Sequence, residues 1–551
     1  MPPIRPCDQL ASHEVFNQPP PLADFDAFDR DLPLKAALVR AGGGVHSDRL
    51  STFGKKVGSA ETIEWGRLAN ENPPRLKSFD RYGHRLDEVE FHPAYHDLMR
   101  LGIEGGVSSA AWTTEDAGHP LHAALLYLMT QADAGTVCPM SMTYAVVPVL
   151  RAEPGVSAEW EPRVASGRYD QRFIPAHEKS GATMGMAMTE KQGGSDVRAN
   201  TTRAHPLGNG EYELTGHKWF CSAPMSDAFL TLAYAEAGLT CFLVPRWRPD
   251  GSRNALHIMR LKDKLGDRSN ASSEIEYHGA WARRIGEEGR GIRTIIDMVQ
   301  GTRLDCIAGS AGGMRAALVQ AIWHTRHRSA FQRFLSDQPA MRGVLADLAL
   351  ESEAATAVMM RVAAAFDAAR SGKEDEATFA RLATPIAKYW VCKRQPGFVY
   401  EALECLGGAG FVEEGPMPRL FRQSPLNAIW EGSGNVIALD VLRALTREPE
   451  AWDLFRAELN QVAGAHPLLD AAAGHLDADL AETALTESSV RRFVEAAALA
   501  LQAACLSHAH SAVFSGFCEA RLDPENRAFQ YGASSAAIDI AELLARALPI
   551  E

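Results

Sequence analysis

Residues 181–285 interrupt an otherwise helical chain with a block of strand-formers, and this interruption limits the folds open to the sequence. Runs such as GEYELTG, DAFLTLAYA, TCFLVP and SSEIEYHG cluster β-formers and stop on Gly, Pro or Asp turns. Before the block, HPLHAALLYLMTQADAG and CPMSMTYAVVPVLR are dense in Ala, Leu and Met, as buried helices are. After Gly289, GTRLDCIAGSAGGMRAALVQAIWHTRHR and PAMRGVLADLALESEAATAVMMRVAAAFDAA hold apolar residues at helical spacing over many turns. Strands and helices are segregated, so the expected class is α+β and multidomain, not an alternating α/β sheet. Four units are expected: a leading segment and helical domain at 1–180, a β-barrel-like domain at 181–285, a helical bundle at 286–448 and a helical extension at 449–551.

Two finer expectations concern the ends of this layout. Proline clusters at 19–21 and 73–74 predict an irregular, wrapping leading segment over the first eighty residues. In the last unit, AHPLLDAAAGHLDADLAE reads as a weakly structured start. It precedes an amphipathic helix with Val490, Phe493, Val494, Ala497, Leu501 and Cys505 on one face.

A chain of 551 residues suits three or four such units, and 46% apolar against 23% charged residues excludes wholesale disorder. The net charge of −13 disfavours a surface that is attractive to nucleic acid throughout. Nine cysteines without C-x-x-C spacing argue against a disulfide framework or structural zinc, so no metal is expected. MPPIRPCDQL has no apolar run behind it, and no stretch is long enough to span a bilayer. The expectation is a soluble, cytoplasmic protein without a membrane partner.

Four segments carry potential chemistry, and no G-x-G-x-x-G dinucleotide fingerprint is among them. MAMTEKQGGSDVR (186–198) sets hydroxyls beside a double glycine, which suits close backbone approach to a flat or phosphorylated ligand; a tight turn capped by Ser195 and Asp196 explains it equally well. NGEYELTGHKWFCS (209–222) reads alone as a hairpin with a buried Trp219. EALECLGGAGFVEE (401–414) reads alone as a helix stopped by glycine. LNAIWEGSGNVIALDVLRAL (426–445) sets Glu431 among apolar residues before a G-S-G turn. Such a carboxylate resists ionisation, although helix capping is the blander reading.

Taken in order, these segments resemble the acyl-CoA dehydrogenase family of flavoproteins, over about residues 70–445. MTEKQGGSDVR is similar to the family's T-E-x-x-x-G-S-D flavin loop and GHKWFCS to its G-x-K-x-W-I-T/S strand. LGGAGF is similar to the G-G-x-G-F/Y turn, and IWEGSGN to the I-Y-E-G-T segment that bears the catalytic base. RSAF at 328–331 is similar to the family's R-x-x-F. ENPPRL, FHPAYHDLM, LKDKLGDRSNAS and the C-terminal extension resemble the alkylation-response, AidB-like branch. Departures from the pattern are Trp430 for Tyr, Ser433-Gly434-Asn435 for T-S-x-x-Q, Glu404 for the Gln before the double glycine, and Gln332 for Gly.

The resemblance implies noncovalent FAD held by Met186, Met188, Thr189, Gly194, Ser195, Phe220, Cys221 and Ser222. It also implies flavin contacts from Ile429, Trp430, Gly432, Ser433 and Asn435. Arg328, Gly407 and Gly408 would reach the FAD of a neighbouring subunit, which implies a homo-oligomer of the family's tetrameric type. Glu431 would take the proton α to a thioester carbonyl while hydride leaves the β-carbon for the flavin, and Arg303 would tune the carboxylate. The blander reading of Arg303 is a surface ion pair with Asp305 or Asp297. Implied partners are an acyl-CoA or related substrate and an electron acceptor such as an electron-transfer flavoprotein.

The alternative is a flavin-bearing, DNA-binding protective protein of the alkylation response, with feeble dehydrogenation. For that role the candidate contact is Arg443. Residues 451–551, however, hold six arginines and no lysine against fourteen acidic residues.

Overall fold

The computed structural model describes residues 7–481 and 485–548. Its centre is a seven-stranded sheet built from β1 (Met184–Ala187), β2 (Arg203–Gly208), β3 (Glu211–Ser222), β4 (Ala228–Ala235), β5 (Gly238–Pro245), β6 (Leu256–Leu261) and β7 (Ser272–Ile285). Pairing runs β1-β4-β2-β3-β7-β5, with β6 beside β7, and β5 pairs back onto β4. The ring is thereby closed, the arrangement that removes exposed sheet edges. Its interior is packed with residues such as Leu214, Cys221, Phe229, Phe242 and Ile275.

Helices flank the sheet on both sides in sequence. The N-terminal part supplies α1 (Gly118–Ala132) and α2 (Ala134–Ala145), nearly every residue of which is buried. After the sheet come three long helices, α3 (Gly291–His327), α4 (Pro339–Arg370) and α5 (Glu374–Glu404), and the shorter α6 (Gly434–Arg447). Glycine makes the tightest helix contact possible. A Cβ on Gly312 of α3 would stand 2.5 Å from the Tyr127 carbonyl of α1, so the two backbones meet there.

The leading segment is more regular than its prolines suggest. Helices Leu32–Arg40, Ser47–Val57 and Ala60–Glu71 occupy it, because the proline clusters fall outside them. A second correction concerns the run predicted as a weak start. Residues Pro467–Ala481 form a helix, with Pro467 in the first turn and Leu469, Ala473 and Leu476 buried at helical spacing; Glu482, the last residue of that run, lies outside the described residues. The amphipathic helix α7 (Val490–Leu506) follows, and all six residues of its predicted face are buried. This C-terminal region has no separate core. Phe493 packs against Trp452, which stacks on Phe455, and Phe455 stacks on Phe379 of α5.

Candidate active site

A cavity of about 720 Å³ opens where the barrel meets α1, α2, α3 and the segment before α6. Strand alternation decides what β3 contributes. Phe220 and Ser222 face the cavity, with Phe220 44% exposed, whereas Cys221 points the other way into the barrel and is fully buried. Cys221 is therefore corrected from a site residue to a core residue.

The end of β1, through Met186, and the loop after it, through Met188, Thr189, Gly194 and Ser195, form the adjoining wall. Its shape is fixed from beneath by Glu190, which is fully buried. The Glu190 carboxylate accepts from the Lys218 ammonium at 2.8 Å, from the Thr201 and Thr202 amides and hydroxyls, and from the Gln192 amide. This ties the start of the loop to its end. Gly194 is tightly enclosed: a Cβ there would lie 2.9 Å from the Thr189 side chain. Gly194 thus brings backbone close to the cavity where a Cβ would crowd the Thr189 side chain.

Opposite stands Glu431, whose φ of +55° puts a non-glycine residue in left-handed backbone. Gly432 follows at +104°. Such a conformation costs about 1–3 kcal/mol and persists only where the surroundings enforce it. Here three successive carbonyls are gripped from behind. Arg303 Nε donates to the Glu431 carbonyl at 3.0 Å, and Lys388 Nζ donates to the Trp430 and Gly432 carbonyls at 2.8 and 2.5 Å. The carboxyl borders the cavity in largely apolar surroundings. Burial pushes it above the usual carboxylate range, while the Thr302 hydroxyl, Lys388 and Arg303 pull it partly back.

Arg303 makes neither of the ion pairs considered for it. Its side chain is 6% exposed and pairs at 2.7 Å with Asp440 of α6, which Arg381 also holds at 2.9 Å. Asp305 pairs instead with His122 at 2.7 Å.

Ile429, Trp430, Gly432 and Ser433 join Glu431 and Arg303 in the cavity wall. Asn435 does not; it is exposed, and its carboxamide oxygen accepts from Arg491. Arg328, Gly407 and Gly408 also lie outside the cavity. Arg328 donates to the Asn17 carbonyl, and both glycines are exposed with open space where a Cβ would be. Arg443, 56% exposed, stands 3.6 Å from Asp440. Sequence reasoning missed Lys388 and Asp440, and missed the buried amides Gln395 and Gln423 in the cavity wall. A lone lysine within the apolar stretch TPIAKYWV was the available signal for Lys388.

Known proteins share this layout. Residues 17–171 match the adaptive response protein AidB N-terminal domain, 185–280 the acyl-CoA dehydrogenase middle domain, and 289–446 the acyl-CoA dehydrogenase C-terminal domain. AidB of Escherichia coli strain K12 is 45% identical over 519 residues, covering 93% of this chain and 95% of that protein. The chain belongs to the acyl-CoA dehydrogenase family. Within the family, acyl-CoA dehydrogenase family member 11 of Caenorhabditis elegans is 32% identical over 434 residues, 75% of this chain and 69% of that one. The crystal structure of C. elegans ACDH-11 in complex with C11-CoA superposes with a TM-score of 0.83 at 26% identity, covering 98% of this chain and 93% of that one. The apo-form of Bd2924 gives the same TM-score at 28% identity, over 90% and 99% of the two chains.

Proposed function

We propose that this chain is an FAD-dependent dehydrogenase that introduces a double bond beside the carbonyl of an acyl thioester, with Glu431 as the base. The observation that carries the reading is the Glu431 carboxyl, held on a left-handed turn in a cavity wall and raised by burial above the usual carboxylate range. An α-proton is weakly acidic, so its acceptor must be desolvated and its basicity matched to the working pH. Residues of the chain also fit the flavin. Phe220 offers an exposed apolar face, and the Gly194 backbone closes on Thr189 without room for a side chain. Thr189, Ser195 and Ser222 add hydroxyls along that wall. FAD, when bound there, supplies the hydride acceptor. Glu431 takes the proton, and Arg303 and Lys388 fix the turn that aims it.

The likeness to ACDH-11, solved with C11-CoA, supports an acyl-CoA as the substrate class, and an electron-transfer flavoprotein is the proposed acceptor. Arg328, Gly407 and Gly408, remote from this chain's own cavity, support a homotetramer in which they serve a neighbouring site. No helix among the described residues is long and apolar enough to cross a membrane, and the proposed location is the cytoplasm. DNA association is assigned a minor part. Of the six C-terminal arginines, Arg456, Arg492, Arg521, Arg527 and Arg546 pair with carboxylates, and Arg491 bonds Tyr389 and Asn435.

The test is anaerobic bleaching of the purified flavoprotein by straight-chain acyl-CoA thioesters. Glu431→Gln should retain FAD and bleach at least about a hundredfold more slowly. An unchanged rate would move the base elsewhere, and a protein that takes up no FAD on reconstitution would refute the whole reading.

A further inference from the structure

Lys388 lies in the middle of α5 with 1% of its surface exposed. A buried ammonium is expensive unless paired, and the ordinary partner is a carboxylate. Among the described residues no carboxylate oxygen stands within ion-pair distance of it. Its two hydrogen-bond acceptors are the carbonyls that flank Glu431 in sequence, Trp430 and Gly432. The other cation at this turn differs in kind. Arg303 is matched by Asp440, so the field it casts on Glu431 is opposed by a nearby negative charge. Among the described residues Lys388 carries no such paired carboxylate.

We propose that Lys388 is the positioning residue of this site: it clamps the 430–432 turn and supplies a positive charge, paired with no carboxylate among the described residues, that keeps the Glu431 carboxyl ionisable. The proposal rests on the assignment of Glu431 as base and adds a residue to it. The geometry shows why both roles fall to one group. A carboxylate in left-handed backbone needs its neighbouring carbonyls held, and a carboxylate in apolar surroundings needs a counter-charge; an ammonium behind the turn meets both needs at once.

Other charged and titratable groups face Glu431 from each element packed on it. Asp305 and Cys306 on α3 border it, and Asp305 works against ionisation. Cys138 of α2 feels its charge. Behind these stand His122, bonded to Asp305, and Lys393, which feels Lys388. None of these replaces Lys388. The thiols are held neutral by burial, and His122 and Asp305 form a pair with each other.

The experiment follows the Glu431 carboxyl directly by infrared pH titration of the full-length flavoprotein, its band identified by its absence in Glu431→Gln. Lys388→Gln deletes the charge yet keeps an N–H donor for the two carbonyls, and Lys388→Met deletes both. In each variant the carboxyl midpoint should move upward by about one pH unit or more. Bleaching by acyl-CoA at neutral pH should slow and recover as the pH is raised. If Lys388→Met does not fold, Lys388→Gln decides. A midpoint that stays in place or falls in Lys388→Gln overturns the proposal, whatever happens to activity. If Glu431→Gln bleaches normally, the base assignment fails by that separate measurement, while the infrared shift still judges what Lys388 does to the carboxyl.

Discussion

The buried Glu190–Lys218 pair beneath the cavity loop gives the sharpest stability prediction. Both side chains are fully buried and lie 2.8 Å apart. Replacing Lys218 with Met removes one of six donors to the carboxylate and leaves five from Thr201, Thr202 and Gln192. The lost charge-assisted bond is worth about 1.5–3 kcal/mol, and the Leu232 carbonyl loses its ammonium donor for about 1 kcal/mol more. The expected cost of about 2.5–4 kcal/mol overlaps the ~3–5 kcal/mol typical of a broken buried pair. Urea unfolding followed by tryptophan fluorescence, with Trp219 next to the lesion, measures it. Burial pushes the Glu190 carboxyl up, but Lys218 and the donors around it outweigh burial and hold it at about 2. Its stabilisation is therefore full above the ordinary carboxylate range and is lost as pH falls toward 2; Lys218→Met should flatten that dependence. A cost under about 1 kcal/mol refutes the reasoning. So does a Glu190→Gln/Lys218→Met double variant whose cost is the plain sum of the two singles.

Other outcomes follow from single positions. Gly312→Ala should destabilise by about 1–3 kcal/mol, because its Cβ would meet the Tyr127 backbone carbonyl at 2.5 Å. Gly309→Ala, whose nearest neighbour is a side-chain amide at 3.2 Å, should cost clearly less in the same denaturation assay. Burial pushes Asp267 up to about 7, so its ionisation weakens the fold as pH rises from the ordinary carboxylate range through that value. Asp267→Asn should therefore match the parent near about pH 4 and exceed its stability near about pH 8. Full-length protein should bind duplex DNA weakly at low salt and lose it as salt rises, since the C-terminal arginines are engaged within the chain. Binding that survives moderate salt in a filter or anisotropy assay would restore the protective reading.

How much of this was legible in the sequence depended on whether a feature was local. The order of helical and strand-forming blocks is a local property of side chains, and it matches the observed order of the main elements, while a two-stranded pair, Arg75–Phe79 with Arg85–Glu90, departs from it inside the leading unit. The two sides of GHKWFCS were equally open to reading, because strand alternation separates Phe220 and Ser222 from Cys221 by parity alone. Naming Cys221 as a ligand residue ignored that parity. The helix over Pro467–Ala481 was also open to reading, because at the first turn proline has no hydrogen bond to lose and Leu469, Ala473 and Leu476 recur at helical spacing.

Nothing local marks the left-handed backbone of Glu431. A glutamate has no preference for it, and it exists because Arg303, 128 residues earlier, and Lys388, 42 residues before Trp430, hold the carbonyls of the turn. The motif around Glu431 thus identifies a carboxylate among apolar residues, while the hold on its backbone is supplied by two other helices. That division explains why the segment reads alone as a helix cap. Its conformation lies in the packing of α3 and α5 behind it, where an arginine matched by Asp440 and a lysine that no carboxylate among the described residues pairs converge on three consecutive peptide units.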